Sequence, residues 1–364
     1  MKKYIIVGLT PQGLSVLRTL ARAGGEVHAF CHSRKNVGYY SRYGQKTLFG
    51  NIGELRDNIK RIADEADEKP VCYITSGEML AWILRDFTDL YEICDVYSGP
   101  LETIEILAHK DKMYEYAVKC GFDVAKYVTL DKLQDKSISF PAFIKRNFEI
   151  PLFFKAEKIE SRDKLERYLA KIRPEQCKDV ILQEFISCER PMEISCQALF
   201  VDGKCAGTLV AHQKIKLKEG LTAAIEEIEN IDLKRHINDL CENFFEAANT
   251  SNGRLSYSGL IEFEFIYDLS TQKLWFVEVN TRSCGEQSSF AAKYKNLSEA
   301  LLHPDKFVKL QSATPHLRWM NIQRNIRAGL RSKNFSGLAD IFTSSFDVFD
   351  TKDMKPFMMQ FLPR

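Results

Sequence analysis

One stretch of the sequence, residues 259–282, constrains the fold more than any other. It contains two runs rich in β-branched and aromatic residues, 260–267 and 274–279. The residues between them, 268–272, are mostly turn formers. Two such runs joined by a short polar segment are typical of a β-hairpin. The sequence therefore predicts an antiparallel hairpin here.

The predicted hairpin collects carboxylates on one surface. Because side chains alternate along a strand, Glu262 and Glu264 share one face of the first strand, and Glu278 and Asn280 share one face of the second. The second run is otherwise apolar on both faces, so a carboxylate in it is costly to desolvate unless a cation compensates it. Mg²⁺, or Mn²⁺, prefers such oxygen ligands. The alternative, two amphipathic strands with one solvated acidic face, fits this apolar second run poorly.

The hairpin also resembles the metal-binding end of the ATP-grasp ligases, in the carboxylate–amine ligase branch that includes D-aspartate ligases and carbamoyl-phosphate-synthase-like proteins. The resemblance lies in the pattern G-x-x-x-x-E-F…D…E-x-N-x-R, which this chain matches at Gly259, Glu264, Phe265, Asp268, Glu278, Asn280 and Arg282. It implies that Glu264 and Glu278 bind Mg²⁺ bridging the ATP phosphates and that Asn280 completes the second metal site. Arg282 then faces the γ-phosphate or the substrate carboxylate, and Glu262 is a neighbour of the site.

The resemblance implies a fold of mixed class, α/β and α+β. A Rossmann-like pre-ATP-grasp domain is expected over 1–100, where the sequence opens as a βαβ unit. An ATP-grasp domain is expected over 101–310, with a mobile lid at about 141–215, followed by a C-terminal helical extension over 311–364. Gly99 and Pro100 mark the first boundary, and residues after about 310 show no clear strand pattern.

Several further residues are similar to the family's nucleotide site. Lys112 and Lys145 match lysines that reach ATP phosphates. Apart from the resemblance, Lys214 lies on a basic strand end that either acts on the γ-phosphoryl group or is a solvated face. The adenine hinge is expected at Gln183, Glu184, Phe185 and Ile186, with Glu193 accepting hydrogen bonds from the nucleotide. The sequence departs from the family in the phosphate flap, 146–154, which contains no glycine. Arg146, Asn147 or Lys155 is expected to substitute.

The first turn of the chain carries glycines without a nucleotide fingerprint. Gly8 and Gly13 are spaced G-x-x-x-x-G, without the Lys and Ser/Thr of a phosphate loop or the G-x-G-x-x-G of dinucleotide folds. The second strand does not end in an acidic residue that would bind a ribose. We therefore expect no dinucleotide here. Residues 75–78, after the strand 71–74, either contact substrate or cap a helix, and the cap is favoured.

Composition excludes several classes of partner. The formal net charge of +2 in 364 residues gives no electrostatic reason to expect nucleic acid or an anionic membrane. Ten cysteines are scattered without a C-x-x-C pair, which favours reduced thiols in a cytoplasmic protein. No stretch is long and apolar enough for a transmembrane segment. The sequence does not determine whether the chain forms an oligomer.

The sequence thus predicts an ATP-dependent ligase that joins a carboxylate to an amine. The carboxylate attacks the γ-phosphate to give an acyl phosphate, and the amine displaces phosphate to form an amide. Without a metal, Glu278 is expected to be repelled by Glu264 and to protonate. Two alternatives stay open: a degenerate ATP-grasp protein that binds nucleotide without turnover, and a nicotinamide-dependent oxidoreductase. The sequence names neither the carboxylate nor the amine.

Overall fold

The fold is seen in a computed structural model that describes residues 2–134, 137–148, 154, 156–217, 220–246, 249–250, 253–333 and 335–362. Among these residues no helix is both long and apolar enough to cross a membrane.

The N-terminal region is a parallel sheet of five strands with helices on its faces. The strands, in the order β3-β2-β1-β4-β5, are β1 (Lys3–Val7), β2 (Glu26–Cys31), β3 (Gln45–Leu48), β4 (Val71–Ile74) and β5 (Asp95–Val96). The helices are α1 (Pro11–Arg22), α2 (Ile52–Asp64), α3 (Gly77–Asp86) and α4 (Leu90–Ile93), with a 3₁₀ turn at Val37–Tyr40. The central strands β1 and β4 are almost wholly buried, which explains their uninterrupted apolar sequences. The expected Rossmann-like arrangement is confirmed.

A short connection then leads to a small antiparallel sheet. The connection comprises β6 (Ser98–Gly99), α5 (Leu101–Leu107) and α6 (Lys110–Lys119). The four-stranded sheet, in the order β7-β10-β8-β9, contains β7 (Tyr127–Thr129), β8 (Ala142–Arg146), β9 (Ala156–Ile159) and β10 (Val180–Glu184). Helix α7 (Arg162–Leu169) and 3₁₀ turns at Leu130–Lys132 and Pro174–Asp179 complete it. Leu165 of α7 packs with Ile144 and Leu182 in a core separate from the larger cores. We call residues 127–184 the small sheet domain.

The largest sheet has eight strands. Its main path runs β17-β16-β11-β12-β13-β18-β19, and β6 pairs with β16. Its remaining strands are β11 (Pro191–Val201), β12 (Lys204–Lys216), β13 (Thr222–Glu227), β16 (Ser258–Asp268), β17 (Leu274–Asn280), β18 (Arg318–Met320) and β19 (Ser345–Phe346). The other elements are α8 (Ile231–Glu242), β14 (Asn249–Thr250), β15 (Gly253–Arg254), α9 (Gln287–Lys293), α10 (Leu297–Leu302), α11 (Ile322–Ser332) and α12 (Lys355–Met359), with a 3₁₀ turn at Ser336–Phe342. The span expected for the lid, 141–215, thus covers parts of two sheets, because β11 and β12 lie in the large one.

The C-terminal region is not purely helical. The helical extension expected over 311–364 also contains two strands, β18 and β19, which extend the large sheet. Both strands are three residues long or shorter, too short to show a periodic pattern. Trp319 of β18 is fully buried. Farther on, the buried Arg18 guanidinium of α1 donates through Nε to Asp353 Oδ2 at 3.0 Å, which anchors the C-terminal region to the N-terminal domain.

Candidate functional site

The predicted hairpin is present as β16 and β17. In its register Glu262 lies opposite Asn280, and Glu264 lies opposite Glu278, with an irregularity directly after Glu264. Phe263, Phe265 and Phe276 point to the other side and pack with rings of the neighbouring helices. The aromatic core therefore fixes the strands, and the register presents the carboxylates together on the opposite face.

A cleft of about 680 Å³ lies over this face. The hairpin supplies Glu264, Glu278, Asn280 and Arg282 to its lining. The charged residues on the facing walls are Lys110 of α6, Lys145 and Arg146 of the small sheet domain, and Lys216 of β12. The N-terminal domain adds Gly77, the first residue of α3. Three separate parts of the fold thus meet over the hairpin carboxylates.

The two central carboxylates differ in their electrostatic surroundings. Glu278 forms an ion pair with the Lys110 ammonium. Burial alone would raise the pKa of Glu278, but the Lys110 charge and hydrogen bond outweigh burial and hold that pKa well below its usual value. Glu264 accepts a hydrogen bond from Asn280 Nδ2 at 2.8 Å. Burial and the nearby Glu278 and Glu286 carboxylates raise the pKa of Glu264 to about 7.

The expectation that Glu278 protonates without a metal is therefore wrong. Sequence reasoning considered the repulsion from Glu264 but missed Lys110, whose ammonium supplies the compensating charge. Glu264 is the carboxyl whose pKa rises. The repulsion between the two carboxylates raises the pKa of Glu264, which has no paired ammonium, and not that of Glu278.

Lys110 could have been found from helical spacing. Residues three and four positions apart lie on one helix face, and both Met113 and Tyr114 of α6 are buried. This places Lys110 on the inward face of the first turn. Lys112, the residue suggested by the family pattern, is exposed and does not line the cleft.

Lys145 reaches the cleft from β8. Its Nζ donates to Tyr114 Oη at 2.6 Å, and Tyr114 Oη donates to the Val277 carbonyl oxygen at 2.9 Å. Burial, assisted by the Lys110 ammonium, lowers the pKa of Lys145 to about 7. An anion entering the cleft would favour the charged form of this side chain.

The expected phosphate flap is only partly described. Arg146, Asn147 and Phe148 line the cleft, and Asn147 Oδ1 accepts from the Asp111 backbone N–H at 3.0 Å. Residues 149–153 and 155 lie outside the described residues, and so does the suggested role of Lys155.

Arg282 joins the hairpin to the N-terminal domain. Its Nη2 donates to Asn280 Oδ1 at 3.0 Å and its Nη1 to the Ser283 carbonyl oxygen at 3.0 Å. A Cβ on Gly77, the first residue of α3, would lie 3.2 Å from Arg282 Nε. Ser76, at the N-cap of this helix, makes no side-chain capping bond. Of residues 75–78, Gly77 thus lines the cleft, and the favoured interpretation as a side-chain helix cap finds no capping bond there.

Other predicted residues lie away from the cleft. Lys214 forms ion pairs with Glu226 and Asp340, and Glu193 pairs with Lys216. The predicted adenine hinge, residues 183–186, does not line the 680 Å³ cleft.

The hinge residues already have partners. Gln183 Nε2 donates to the Ala125 carbonyl oxygen at 3.0 Å, and Gln183 Oε1 lies 3.4 Å from Tyr114 Oη, the longer of the two contacts open to that hydroxyl proton. The backbone N–H groups of Glu184 and Phe185 donate to other carbonyl oxygens, and Ile186 is half-buried. Only Gln183 is linked to the cleft, through Tyr114.

The glycine turn after β1 is closely packed. Thr75 Oγ1 donates to the Gly8 carbonyl oxygen at 2.8 Å. A Cβ on Gly13 would lie 2.1 Å from that same oxygen. The two glycines therefore have a packing role, since they permit the close approach of β1, α1 and β4.

Comparison with known proteins identifies solved structures that have a similar fold. No protein-family model and no curated protein matches the sequence. Among solved structures, N5-carboxyaminoimidazole synthetase from Staphylococcus aureus, complexed with ADP, superposes with a TM-score of 0.68 at 13% identity, over 93% of this chain and 88% of that one. L-amino acid ligase from Bacillus licheniformis gives 0.62 at 14% identity, over 86% and 75%.

A third similar structure is the biotin carboxylase domain of Hydrogenobacter thermophilus 2-oxoglutarate carboxylase, in complex with MgADP, ADP and bicarbonate. It superposes with a TM-score of 0.60 at 16% identity, over 81% of this chain and 67% of that one. At such identities the likeness establishes the fold alone. The chain therefore has the fold of the ATP-grasp ligases, preceded by a Rossmann-like domain, as the resemblance of its hairpin predicted.

Proposed function

We propose that the chain is an ATP-dependent ligase that joins a carboxylate to an amine through an acyl phosphate and releases ADP and phosphate. One observation carries the proposal: two half-buried carboxylates, Glu264 and Glu278, face lysines and an arginine across a single cleft. The names of the similar structures support it, since they include a synthetase with ADP, an amino acid ligase and a carboxylase domain with MgADP.

The donor set fits a hard divalent cation. Glu264 has no ammonium partner among the described ion pairs and is raised in pKa by neighbouring carboxylates, so a cation would relieve a repulsion that the protein leaves in place. Glu264 and Glu278 would hold Mg²⁺, which when bound neutralises charge on the phosphates. Asn280 turns Nδ2 toward Glu264, so its amide must rotate for Oδ1 to complete the same site.

The lysines would bind the phosphates. Lys110 holds Glu278 in place and lies at the start of α6, where helix dipole and ammonium both favour an anion. Lys145 is destabilised in its charged form by burial, and a phosphate beside it would restore that charge. These two residues take the phosphate-binding part that the family pattern gave to Lys112 and Lys145.

Arg282 would orient the reacting carboxylate or the γ-phosphate. Its guanidinium lies beside the N-terminus of α3, and both features favour an anion. The substrate carboxylate would then reach the γ-phosphate from the side of the N-terminal domain, away from Lys145. Lys214 and Glu193 would act on this site only after a movement that breaks their present ion pairs.

A second candidate is a protein that binds nucleotide without turnover. The absence of glycine from residues 146–154 favours it, because a glycine-rich flap lets backbone N–H groups approach phosphates closely. A nicotinamide-dependent oxidoreductase has no such support, since the turn that would bind the dinucleotide lacks the G-x-G-x-x-G spacing and its Gly13 is used for packing against the Gly8 carbonyl oxygen.

A screen for ADP release tests the proposal. Purified full-length protein is incubated with MgATP and pairs drawn from amino acids and small carboxylates, and ADP is measured. We expect release that requires both a carboxylate and an amine and that is lost in Glu278→Gln. Binding of MgATP without ADP release for any pair would favour the second candidate, whereas release unaffected by Glu278→Gln would contradict the assignment of the site.

A further inference from the structure

A second group of buried ligand atoms lies behind the cleft. Glu262 on β16 and Cys284 and Glu286 on the loop after β17 each offer one ligand atom, and the three atoms lie within 4.8 Å of one another. Their side chains are 4%, 1% and 6% exposed. The 680 Å³ cleft is lined by Glu264 and Glu278 but by none of these three. The group is therefore close to the nucleotide site and separate from it.

The carboxylates of this group have no directly paired cation, although the charge of the Arg282 guanidinium acts on Glu262 and Cys284 from nearby. Glu262 accepts from Ser195 Oγ at 2.6 Å and from Asn280 Nδ2 at 3.1 Å. Within the described part of the chain, no lysine or arginine forms an ion pair with Glu262 or Glu286. Two carboxyl groups and a thiol in so small a volume are costly to bury without a positive charge between them.

An unpartnered amide oxygen points to the same place. Gln197 lies directly opposite Glu262 in the β11–β16 register, so the two side chains share a sheet face. Its Nε2 donates to Ser289 Oγ at 2.9 Å, and the Ser289 N–H donates to the Glu286 carbonyl oxygen at 2.7 Å. The amide thus lies between Glu262 and the loop that carries Glu286.

Gln197 Oε1 itself has no hydrogen-bond partner, although the residue is only 2% exposed. A buried carbonyl oxygen left in this way is destabilising, because it has given up its hydrogen bonds to water without gaining a partner. A cation bound to the three ligand atoms would give this oxygen a partner. Atoms less than 4.8 Å apart leave space for an ion between them and not for an organic substrate.

We propose that Glu262, Cys284 and Glu286 bind a thiophilic divalent transition-metal ion such as Zn²⁺, with Gln197 Oε1 as the candidate fourth ligand. A thiolate ligand selects Zn²⁺ over Mg²⁺, and four ligands suit its tetrahedral preference. Binding releases the Cys284 proton to solvent, because the metal ligand is the thiolate. The ion holds the loop after β17 against β16, next to the Asn280 amide that bridges Glu262 and Glu264.

Cobalt titration tests the proposal on the full-length protein. After treatment with a chelator, the protein is titrated with Co²⁺ in the presence of excess Mg²⁺. We expect a near-ultraviolet thiolate-to-cobalt charge-transfer band that saturates at one equivalent and that Zn²⁺ abolishes by displacement. Zn²⁺ should also raise the melting temperature, since it binds the folded state.

Variants assign the ligands. Cys284→Ser should lose the band, and Glu286→Gln should weaken Co²⁺ binding by at least about tenfold, because even changes outside the first coordination shell cost that much. Cys241→Ser removes another fully buried thiol and should keep the band. Glu278→Gln should keep it too, so that failure of the nucleotide site and failure of this metal site are distinguishable.

The wild-type titration decides the matter even if Cys284→Ser does not fold. Absence of a charge-transfer band in wild-type protein would overturn the proposal. Retention of the band in a folded Cys284→Ser variant would overturn it as well, because the thiolate would then come from elsewhere.

Discussion

The turn after β1 carries two glycines and the hairpin β16–β17 carries a group of carboxylates, and the fold uses the two regions differently. In the turn, Gly8 and Gly13 allow Thr75 and α1 to pack closely against the end of β1. On the hairpin, Glu264 is left among like charges, with no ammonium of its own and an open cleft above it. Glycine spacing alone therefore does not mark a binding site, whereas incompletely compensated charge beside a cleft does.

The largest expected effect distinguishes the two lysines at the start of α6. Lys110→Met should lower turnover by about 10²- to 10³-fold, the usual consequence of removing one electrostatic contact to the transition state. Lys112→Met is the matched control, because Lys112 is exposed, and it should keep close to wild-type turnover. ADP release at saturating MgATP is the measurement, with circular dichroism to confirm folding.

Equal losses in both variants would weaken the geometric assignment of Lys110. A loss confined to Lys112→Met would mean that the family pattern places the phosphate-binding lysine correctly and that α6 rotates when nucleotide binds.

A change in the glycine turn should affect stability and spare nucleotide binding. In Gly13→Ala the new Cβ meets the Gly8 carbonyl oxygen, and overpacking of this kind costs about 3 kcal/mol. Gly24→Ala, where nothing lies within 4 Å but φ is +89°, should cost about 1 kcal/mol through the backbone alone. Thermal denaturation measures both, and the affinity for MgATP should be unchanged in both. A selective loss of MgATP affinity in Gly13→Ala would mean that the turn contacts the nucleotide.

The two hairpin carboxylates should respond oppositely to neutralisation in the absence of ligand. Glu278→Gln leaves the Lys110 ammonium without its carboxylate and should lower the free energy of unfolding by about 2 kcal/mol. This loss is smaller than for a fully buried ion pair, because the Lys110–Glu278 pair is partly exposed. Glu264→Gln removes a like charge and should melt at or above the wild-type temperature. Melting curves at about pH 8, where Glu264 is mostly ionised, give the comparison. Equal shifts would contradict the different environments of the two carboxyl groups.

The smallest expected effect is a transfer of protons on MgATP binding. The pKa of Lys145 is lowered to about 7, so at about pH 8 most of the side chain is neutral, and phosphates that raise its pKa should cause uptake of close to one proton. The pKa of Glu264 is raised to about 7, so at about pH 6 a metal that requires the carboxylate should cause proton release. Calorimetry in buffers of different ionisation enthalpy should show this change of sign.

Lys145→Arg is the matched variant for this experiment, because arginine keeps the charge and does not titrate. It should bind MgATP and lose the uptake at about pH 8. Uptake that persists in Lys145→Arg would assign the proton to another group.

The parts that the sequence predicted share a physical basis. The strands β1, β4, β16 and β17 have strong local patterns, because each is buried on at least one face over several residues. The carboxylate face followed from the two-residue period of a strand and needed no tertiary information. The short strands β18 and β19 lacked such a pattern and were missed.

The charges facing the hairpin were harder to predict, because they come from other elements. Lys110 lies 168 positions from Glu278, and only the packing of α6 against β17 brings the two together. The Glu262, Cys284 and Glu286 group likewise depends on how the loop after β17 folds back on β16. The family pattern placed the lysine at position 112, two residues along the helix from the one that the structure turns inward.

The most direct test of the hairpin as the MgATP site is a calorimetric titration of MgATP into wild-type protein and into Glu264→Gln, the variant expected to keep full stability. We expect saturable binding at one site in the wild type, and binding reduced by at least about tenfold in Glu264→Gln, since a carboxylate ligand of the metal is lost. Wild-type affinity for MgATP in folded Glu264→Gln would contradict the placement of the metal and nucleotide on this hairpin.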